Sequence, residues 1–275
     1  MTLVHGRECA FYTAFGKLGL IPLPDIYYQQ ELDIDTRANG FIVMQDFTEC
    51  AYMERIEDGM SILKVENMVK HLAHLHAYII CLGRDKADAL LKPFRPDFLS
   101  DKEKMKEEDL EMFNKIMQGT IDAVPAVEPY LRRMKKISVG SDFSKWASCD
   151  FAKEHGLPEV LVHSDLWTNN LLWRKDKKNE CAALIDWQCC FAGGPMNDIA
   201  RLIVSCCEPE VRRHLDSYIL QLYHDELSRL EAEKGGDTLK FTVEDDLRPV
   251  YEIAFVHQTT PFAMLVPLLT IVSNR

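Results

Sequence analysis

The sequence predicts an α+β fold in two unequal parts: a short mixed N-terminal segment and a longer, mostly helical remainder. Three observations carry this reading. The first is a pair of β-forming runs, Ile26 to Leu32 and Phe41 to Phe47, separated by Asn39-Gly40, a hairpin-turn signal. The second is apolar spacing of helical period over Met60 to Cys81, Met105 to Met117, Val124 to Ile137, Pro209 to Ala232 and Thr242 to His257. The third is one island of short apolar runs between Val160 and Asp198, inside the helical part.

That island carries the chemistry. Val160-Leu161-Val162 delivers His163 and Asp165 into a loop, and Asn170 stands where the next run, Leu171-Leu172-Trp173, begins. The charged turn from Lys175 to Glu180 folds the chain back, and Ala183-Leu184-Ile185 ends on Asp186. Hairpin geometry brings Asp165, Asn170 and Asp186 to one edge. Two oxygen donors beside a further carboxylate suit phosphoryl transfer, which needs hard oxygens for Mg²⁺ and a group to accept the proton of the attacking hydroxyl.

The order His-x-Asp-x-x-x-x-Asn, then a strand ending in Ile185-Asp186-Trp187, resembles the catalytic and metal-binding loops of the kinase fold. Asn169-Asn170-Leu171-Leu172-Trp173 and Gly194-Pro195-Met196-Asn197-Asp198-Ile199-Ala200-Arg201 are closer to one branch. They are similar to the choline/aminoglycoside phosphotransferase group, and within it to the ecdysteroid-kinase-like (CHK kinase-like) proteins. The resemblance implies a protein-kinase-like fold with an incomplete N-terminal lobe and a helical C-terminal lobe. It implies ATP and Mg²⁺ as cofactors, a small-molecule alcohol as substrate, Asp165 with His163 in the catalytic loop, and Asn170 and Asp186 as metal ligands. Asp198 becomes the buried carboxylate that holds the catalytic loop. The residues alone leave Asp198 as an ordinary cap near the start of a helix at Met196 to Cys207.

Composition bounds the reading. The chain has 275 residues, 47% hydrophobic and 27% charged, ordinary values for a globular protein. Its net charge of −11 disfavours nucleic acid or an anionic membrane as partner. Nine scattered cysteines include no Cys-x-x-Cys pair, so free thiols in a reducing cytoplasm are expected rather than zinc or disulfides. No signal peptide is visible, and Pro267 breaks the longest apolar tract, Pro261 to Val272.

In chain order, Leu3 to Leu18 reads as a helix with Phe11 and Phe15 on one face and Gly19 as its stop. The resemblance makes Glu8 the small-lobe glutamate that pairs with a phosphate-gripping lysine; read alone, Glu8 is a solvated helix position. Phe41 to Phe47 reads as a buried strand. Its end resembles the hinge, where backbone groups at Gln45 and Phe47 contact adenine, and a plain core strand describes it nearly as well. The expected division is residues 1–47 as small lobe and 48–275 as large lobe.

Leu72, Leu75 and Ile79 form one stripe of the helix at Met60 to Cys81. His71, His74 and His76 crowd it, but with no acidic or cysteine ligand alongside, His76 is expected as a hydrogen-bonded core residue. Pro93 to Pro96 marks a linker, and the mixed charges of Asp101 to Asp109 a solvated face. Arg132, Arg133, Lys135 and Lys136 read as a surface helix end, or else as a rim attracting an anionic substrate. Ser144 to His155 is a further helix, and Gly235-Gly236 divides the two closing ones.

Only seven residues precede Glu8, and neither a glycine-rich loop nor a lysine stands among them. The expectation is therefore a fragment or short form of a longer kinase-like protein, or a binding module without efficient catalysis. A protein substrate is disfavoured, because Ile185-Asp186-Trp187 leads quickly to Gly194-Pro195 and leaves no room for an activation segment.

Overall fold

A computed structural model gives the fold and describes residues 2–33, 36, 38–95, 107–138, 141–235 and 239–273. The chain opens with α1 (Thr2–Phe15), followed by β1 (Ile26–Gln30) and β2 (Phe41–Met44), which pair antiparallel. The Asn39-Gly40 turn expected between them is corrected. Residues 31–40 form a longer connection with a bridge between Asp33 and Ala38. Gly40 serves close approach instead: a side chain there would run into the His5 ring and come within 2.8 Å of the Leu32 amide. The buried strand expected over Phe41 to Phe47 is corrected too. It ends at Met44 and alternates between exposed and half-buried positions, because only one face of the ribbon is covered.

β3 (Ala51–Met53) leaves this ribbon and joins the central hairpin of β5 (Leu171–Arg174) and β6 (Cys181–Leu184), in the antiparallel order β3-β5-β6. β4 (Val160–Val162) pairs separately with β7 (Phe191–Gly193), so the whole island from 160 to 193 is two interleaved antiparallel pairs. All three β4 residues are buried, which explains its unbroken apolar spelling.

Helices surround the island. α2 (Ile62–Cys81) packs against α10 (Ile219–Glu233), and α8 (Met196–Cys206) against α11 (Arg248–Ser273). Leu72, Leu75 and Ile79 of α2 are fully buried, as their spacing predicts. α3 (Arg84–Leu91) follows α2, and α4 (Glu107–Ala123) lies on α11 beside α5 (Glu128–Ser138). α6 (Ser141–Lys145), a π turn at Trp146–Asp150 and α7 (Phe151–Glu154) form the helix expected before β4. The helix expected over Pro209 to Ala232 is two, α9 (Pro209–Leu215) and α10, because Tyr218 leaves helical geometry with φ −148°.

Phe94, expected in a linker, is buried against Phe15, while Pro96 and residues 101–106 lie outside the described residues, as does Gly236. Arg132 is an exposed helix position paired with Glu128 at 2.6 Å; the Lys136 side chain lies outside the described residues. The core is continuous from α1 to α11: Phe11, Phe15, Trp173, Trp187, Ile199 and Ala254 belong to one buried cluster. Among the described residues, no helix is long and apolar enough to cross a membrane.

Candidate active site

The loop after β4 carries the first two residues of interest. Asp198, in the first turn of α8, accepts from the His163 amide at 2.7 Å with one oxygen and from the Ser164 amide at 2.9 Å with the other. It therefore reaches out of its own helix, whose N-cap is Pro195. The two bonds hold the loop in a conformation that Ser164 would otherwise avoid, with φ +73°. Burial pushes the Asp198 carboxyl up to about 6, opposed by the two amides and by Arg201.

His163 is fully buried between this loop and the next strand. One ring nitrogen, Nδ1, lies 3.2 Å from the Asp165 amide, and the other, Nε2, lies 2.9 Å from the Ile185 carbonyl. An amide can only donate and a carbonyl only accept, so Nδ1 is bare and Nε2 carries the proton. Burial depresses the imidazole to about 4, which agrees with this neutral tautomer. His163 is thus a strut linking the Asp165 loop to the strand end that leads into Asp186.

Asp165 lies half-buried at the loop's end. Asn170 donates through Nδ2 to the Asp165 carbonyl at 2.8 Å and leans on carboxylate Oδ2 at 3.3 Å. This orientation leaves the Asn170 side-chain oxygen as an available donor for a cation. The other carboxylate oxygen, Oδ1, is held by Arg201 Nη2 at 2.9 Å. Arg201 is 5% exposed and carries no role in the sequence reading. The signal that could have found it is its spacing, three residues after Asp198 and so on the same face of α8.

Asp186 follows β6 and adopts a left-handed backbone, φ +66° and ψ +61°. Only two non-glycine residues, Ser164 and Asp186, have positive φ among the described residues, and both belong to this site. Burial first, and then the nearby Asp165 charge, raises the Asp186 carboxyl above its ordinary range. Glu8, from α1, accepts from the Trp187 amide at 3.2 Å; burial and then Asp186 raise it likewise. Phe11, one turn further along α1, stacks on the Trp187 indole at 3.7 Å between centroids. The structure therefore brings Asp165, Asn170, Asp186 and Glu8 into one neighbourhood, with His163 and Asp198 behind them.

Gln45 and Phe47 stand apart, on the segment joining β2 to β3. The Gln45 amide donates to the Asp25 carbonyl at 2.8 Å, and the Phe47 carbonyl accepts from the amides of Cys50 and Ala51. The first bond extends the β1–β2 pairing, and the Phe47 carbonyl holds the turn before β3. The histidines of α2 form no metal site: His76 bonds Tyr223 at 2.8 Å, as a core residue should. The expectation that no acid lies beside them is corrected for His74, which meets Glu226 of α10 at 3.0 Å.

The donor set fits Mg²⁺ better than a softer metal. Among the described residues, no three His, Cys, Asp or Glu side chains form a metal-holding group. Mg²⁺ takes one or two protein oxygens and fills its remaining positions with water and phosphate. Asn170 and Asp186 supply that number, and burial first and then a neighbouring carboxylate raise the carboxyls of both Asp186 and Glu8.

Comparison with known proteins gives the family. The DUF1679 family, described as "Uncharacterized oxidoreductase dhs-27", matches residues 1–275. The chain belongs to this family. Within DUF1679, the Caenorhabditis elegans protein "Uncharacterized oxidoreductase dhs-27" is 23% identical over 275 residues, covering 98% of the chain but 32% of that protein. The C. elegans "Uncharacterized kinase-like protein D1044.1" is 24% identical over 223 residues, covering 79% of the chain and 55% of that protein. The chain thus spans about a third and about half of the curated relatives it matches. Among solved structures, the streptomycin–ATP complex of APH(2")-IIa is 16% identical, with a TM-score of 0.44 over 85% of this chain and 72% of that one. The fold is α+β, with the short antiparallel pairs of the central island enclosed by helices.

Proposed function

We propose that the chain is an ATP-dependent phosphotransferase acting on a hydroxyl of a small molecule. The observation that carries this reading is the shared neighbourhood of Asp165, Asn170 and Asp186, with Asp165 clamped between Asn170 and Arg201. Phosphoryl transfer rests on positioning and charge neutralisation, and this site supplies both.

In the proposed mechanism Asp165 orients the acceptor hydroxyl and takes its proton as the new O–P bond forms and the bond from the γ-phosphorus to the β,γ-bridging oxygen breaks, releasing ADP. Arg201 and Asn170 hold the two carboxylate oxygens, so the carboxylate cannot rotate away from the acceptor. Asn170 and Asp186 would hold Mg²⁺, which would offset the negative charge of the nucleotide phosphates. His163 and Asp198 keep the Asp165 loop at a fixed separation from Asp186. Glu8 would partner a lysine on the phosphates, and the segment at Gln45 and Phe47 would receive adenine. Residues 1–47 then act as the small-lobe part and 48–275 as the large lobe.

The net charge of −11 supports a small molecule as acceptor and disfavours nucleic acid or a membrane surface. Nine unpaired thiols support a cytoplasmic location.

The test is Mg²⁺-dependent ATP turnover against a panel of small alcohols. Asp165→Asn is expected to lower that turnover by roughly 10²–10⁴. An unchanged rate would remove Asp165 from the role of base. ATP binding by the chain alone is expected to be weak, and submicromolar affinity by calorimetry would contradict that.

A further inference from the structure

At the opposite end of the β5–β6 hairpin from Asn170 and Asp186 lies a cleft of about 630 Å³ that the proposed reaction does not use. The hairpin separates the two by roughly 13 Å, four strand residues at about 3.3 Å each. The cleft volume falls within the range of small-ligand sites.

Its lining concentrates positive charge in a chain that is strongly negative. Lys64, Lys175 and Lys178 face it, against Glu54 as the one carboxylate of the lining. Lys64 is 4% exposed, an unusual position for an ammonium. It is held by an ion pair to Glu54, by Tyr52 Oη at 3.0 Å, and over the Trp173 ring at 5.0 Å. Glu54 is thus committed to Lys64. Lys175 bonds a neutral group, the Thr48 carbonyl, at 2.9 Å. Neither Lys175 nor Lys178 has an acidic partner among the described residues, although Lys177 in the same turn does, with Glu180 at 3.0 Å. Two uncompensated ammoniums beside a buried one repel each other, and a bound anion would relieve that repulsion.

The backbone points the same way. Ser61 lines the cleft as the N-cap of the 20-residue helix α2, its side chain makes no cap bond, and the first turn holds no acidic residue. The positive dipole end of α2 therefore borders the cleft through Ser61 and Lys64, a setting that favours phosphate.

We propose that this cleft binds a soluble small molecule carrying one or two phosphate groups, at a site separate from the candidate active site. Lys175 and Lys178 supply the entrance charge, and Lys64 with the start of α2 forms the floor. The proposal does not depend on the phosphotransferase reading.

Calorimetric titration of the chain with inorganic pyrophosphate, in EDTA so that no divalent cation recruits it to Asp186, tests this. Saturable binding near about 0.1–1 mM is expected, weakening at least about tenfold in K175A/K178A and weakening with added salt. Lys177→Ala, in the same turn but paired with Glu180, is expected to bind as the parent does. Those two lysines lie exposed in a turn, so their replacement spares the fold. The proposal is overturned by no saturation up to about 10 mM, or by unchanged affinity in the double variant. It is overturned equally by a loss in K177A as large as in the double variant, or by binding to phosphatidic acid vesicles without binding to pyrophosphate.

Discussion

Arg201 Nη2 lies 2.9 Å from Asp165 Oδ1, joining two residues 36 positions apart inside the buried flank of the site. The arginine comes from the helix that also carries Asp198, so a single face of α8 holds both the loop backbone and the carboxylate at its end. Truncation to Arg201→Ala frees the Asp165 carboxylate to rotate and should lower kcat about 10²-fold, with the KM for ATP little changed. Arg201→Lys, which keeps the charge but loses the fork, should recover part of the rate. A steady-state comparison of the two variants checks this; equal losses in kcat and in ATP affinity would count against a positioning role.

Asp198→Asn addresses the loop itself. An amide side chain can accept from one of the two amides at 2.7 and 2.9 Å but presents an N–H to the other. A loss of about 2–3 kcal/mol in unfolding free energy is expected, the scale of an unmatched buried donor. Hydrogen exchange at the Ser164 amide should accelerate more than exchange in α2, which tells local loosening from global loss.

At Asp186 the expected directions of stability and activity part. Its carboxyl is raised by burial and by Asp165, so its charge is unfavourable in the metal-free fold. Asp186→Asn should therefore match or exceed the parent in metal-free thermal midpoint, while abolishing phosphotransfer. Added Mg²⁺ should raise the parent's midpoint by about 2–4 °C and leave the variant's unmoved. Scanning calorimetry with and without the cation reads both.

Stability should fall as pH falls below neutrality. His76 is buried and depressed from 6.5 to about 3, and His163 from 6.5 to about 4. Between those values and 6.5 the unfolded chain binds protons that the folded chain refuses, so this contribution is present above pH 6.5 and is lost on acidification. Asp198, raised from 3.8 to about 6, and the raised carboxyls of Asp186 and Glu8 work in the opposite sense. His71 and His257, each depressed to about 4, add to the imidazole effect and leave it dominant. Urea unfolding at pH 7 and 4.5 should differ, and His76→Gln should shrink that difference by about 2–3 kcal/mol.

Much of the architecture was legible in the sequence where one face of an element does one job. The stripe of Leu72, Leu75 and Ile79 and the all-apolar spelling of β4 led directly to buried elements, since their pattern depends on local period alone. The run at Phe41 was misread as buried because apolar content says nothing about which face is covered. Phe41 and Val43 stay 44% and 46% exposed. Asn39-Gly40 looked like a turn, yet Gly40 is set by His5, a residue of another element. Of the candidate site, the order of Asp165, Asn170 and Asp186 was legible because the β5–β6 hairpin is flanked by Asn170 and Asp186 and the loop between β4 and β5 carries Asp165. The pairing of Arg201 with Asp165 and that of Glu226 with His74 were not, because the sequence does not show which distant partner a charged helix position meets; the second spans 152 positions.

The stack of Phe11 on Trp187, with Glu8 bonded to an amide 179 positions later, has a consequence for how the chain is made. The first helix leaves the ribosome long before its partner has been translated. At about 5–20 residues per second, that interval is roughly 9–36 s. Through it the apolar, aromatic face of α1 waits uncovered, a natural client for a cotranslational chaperone. Glu8 and Phe11 are made first and can join the neighbourhood of Asp186 only once Trp187 has emerged.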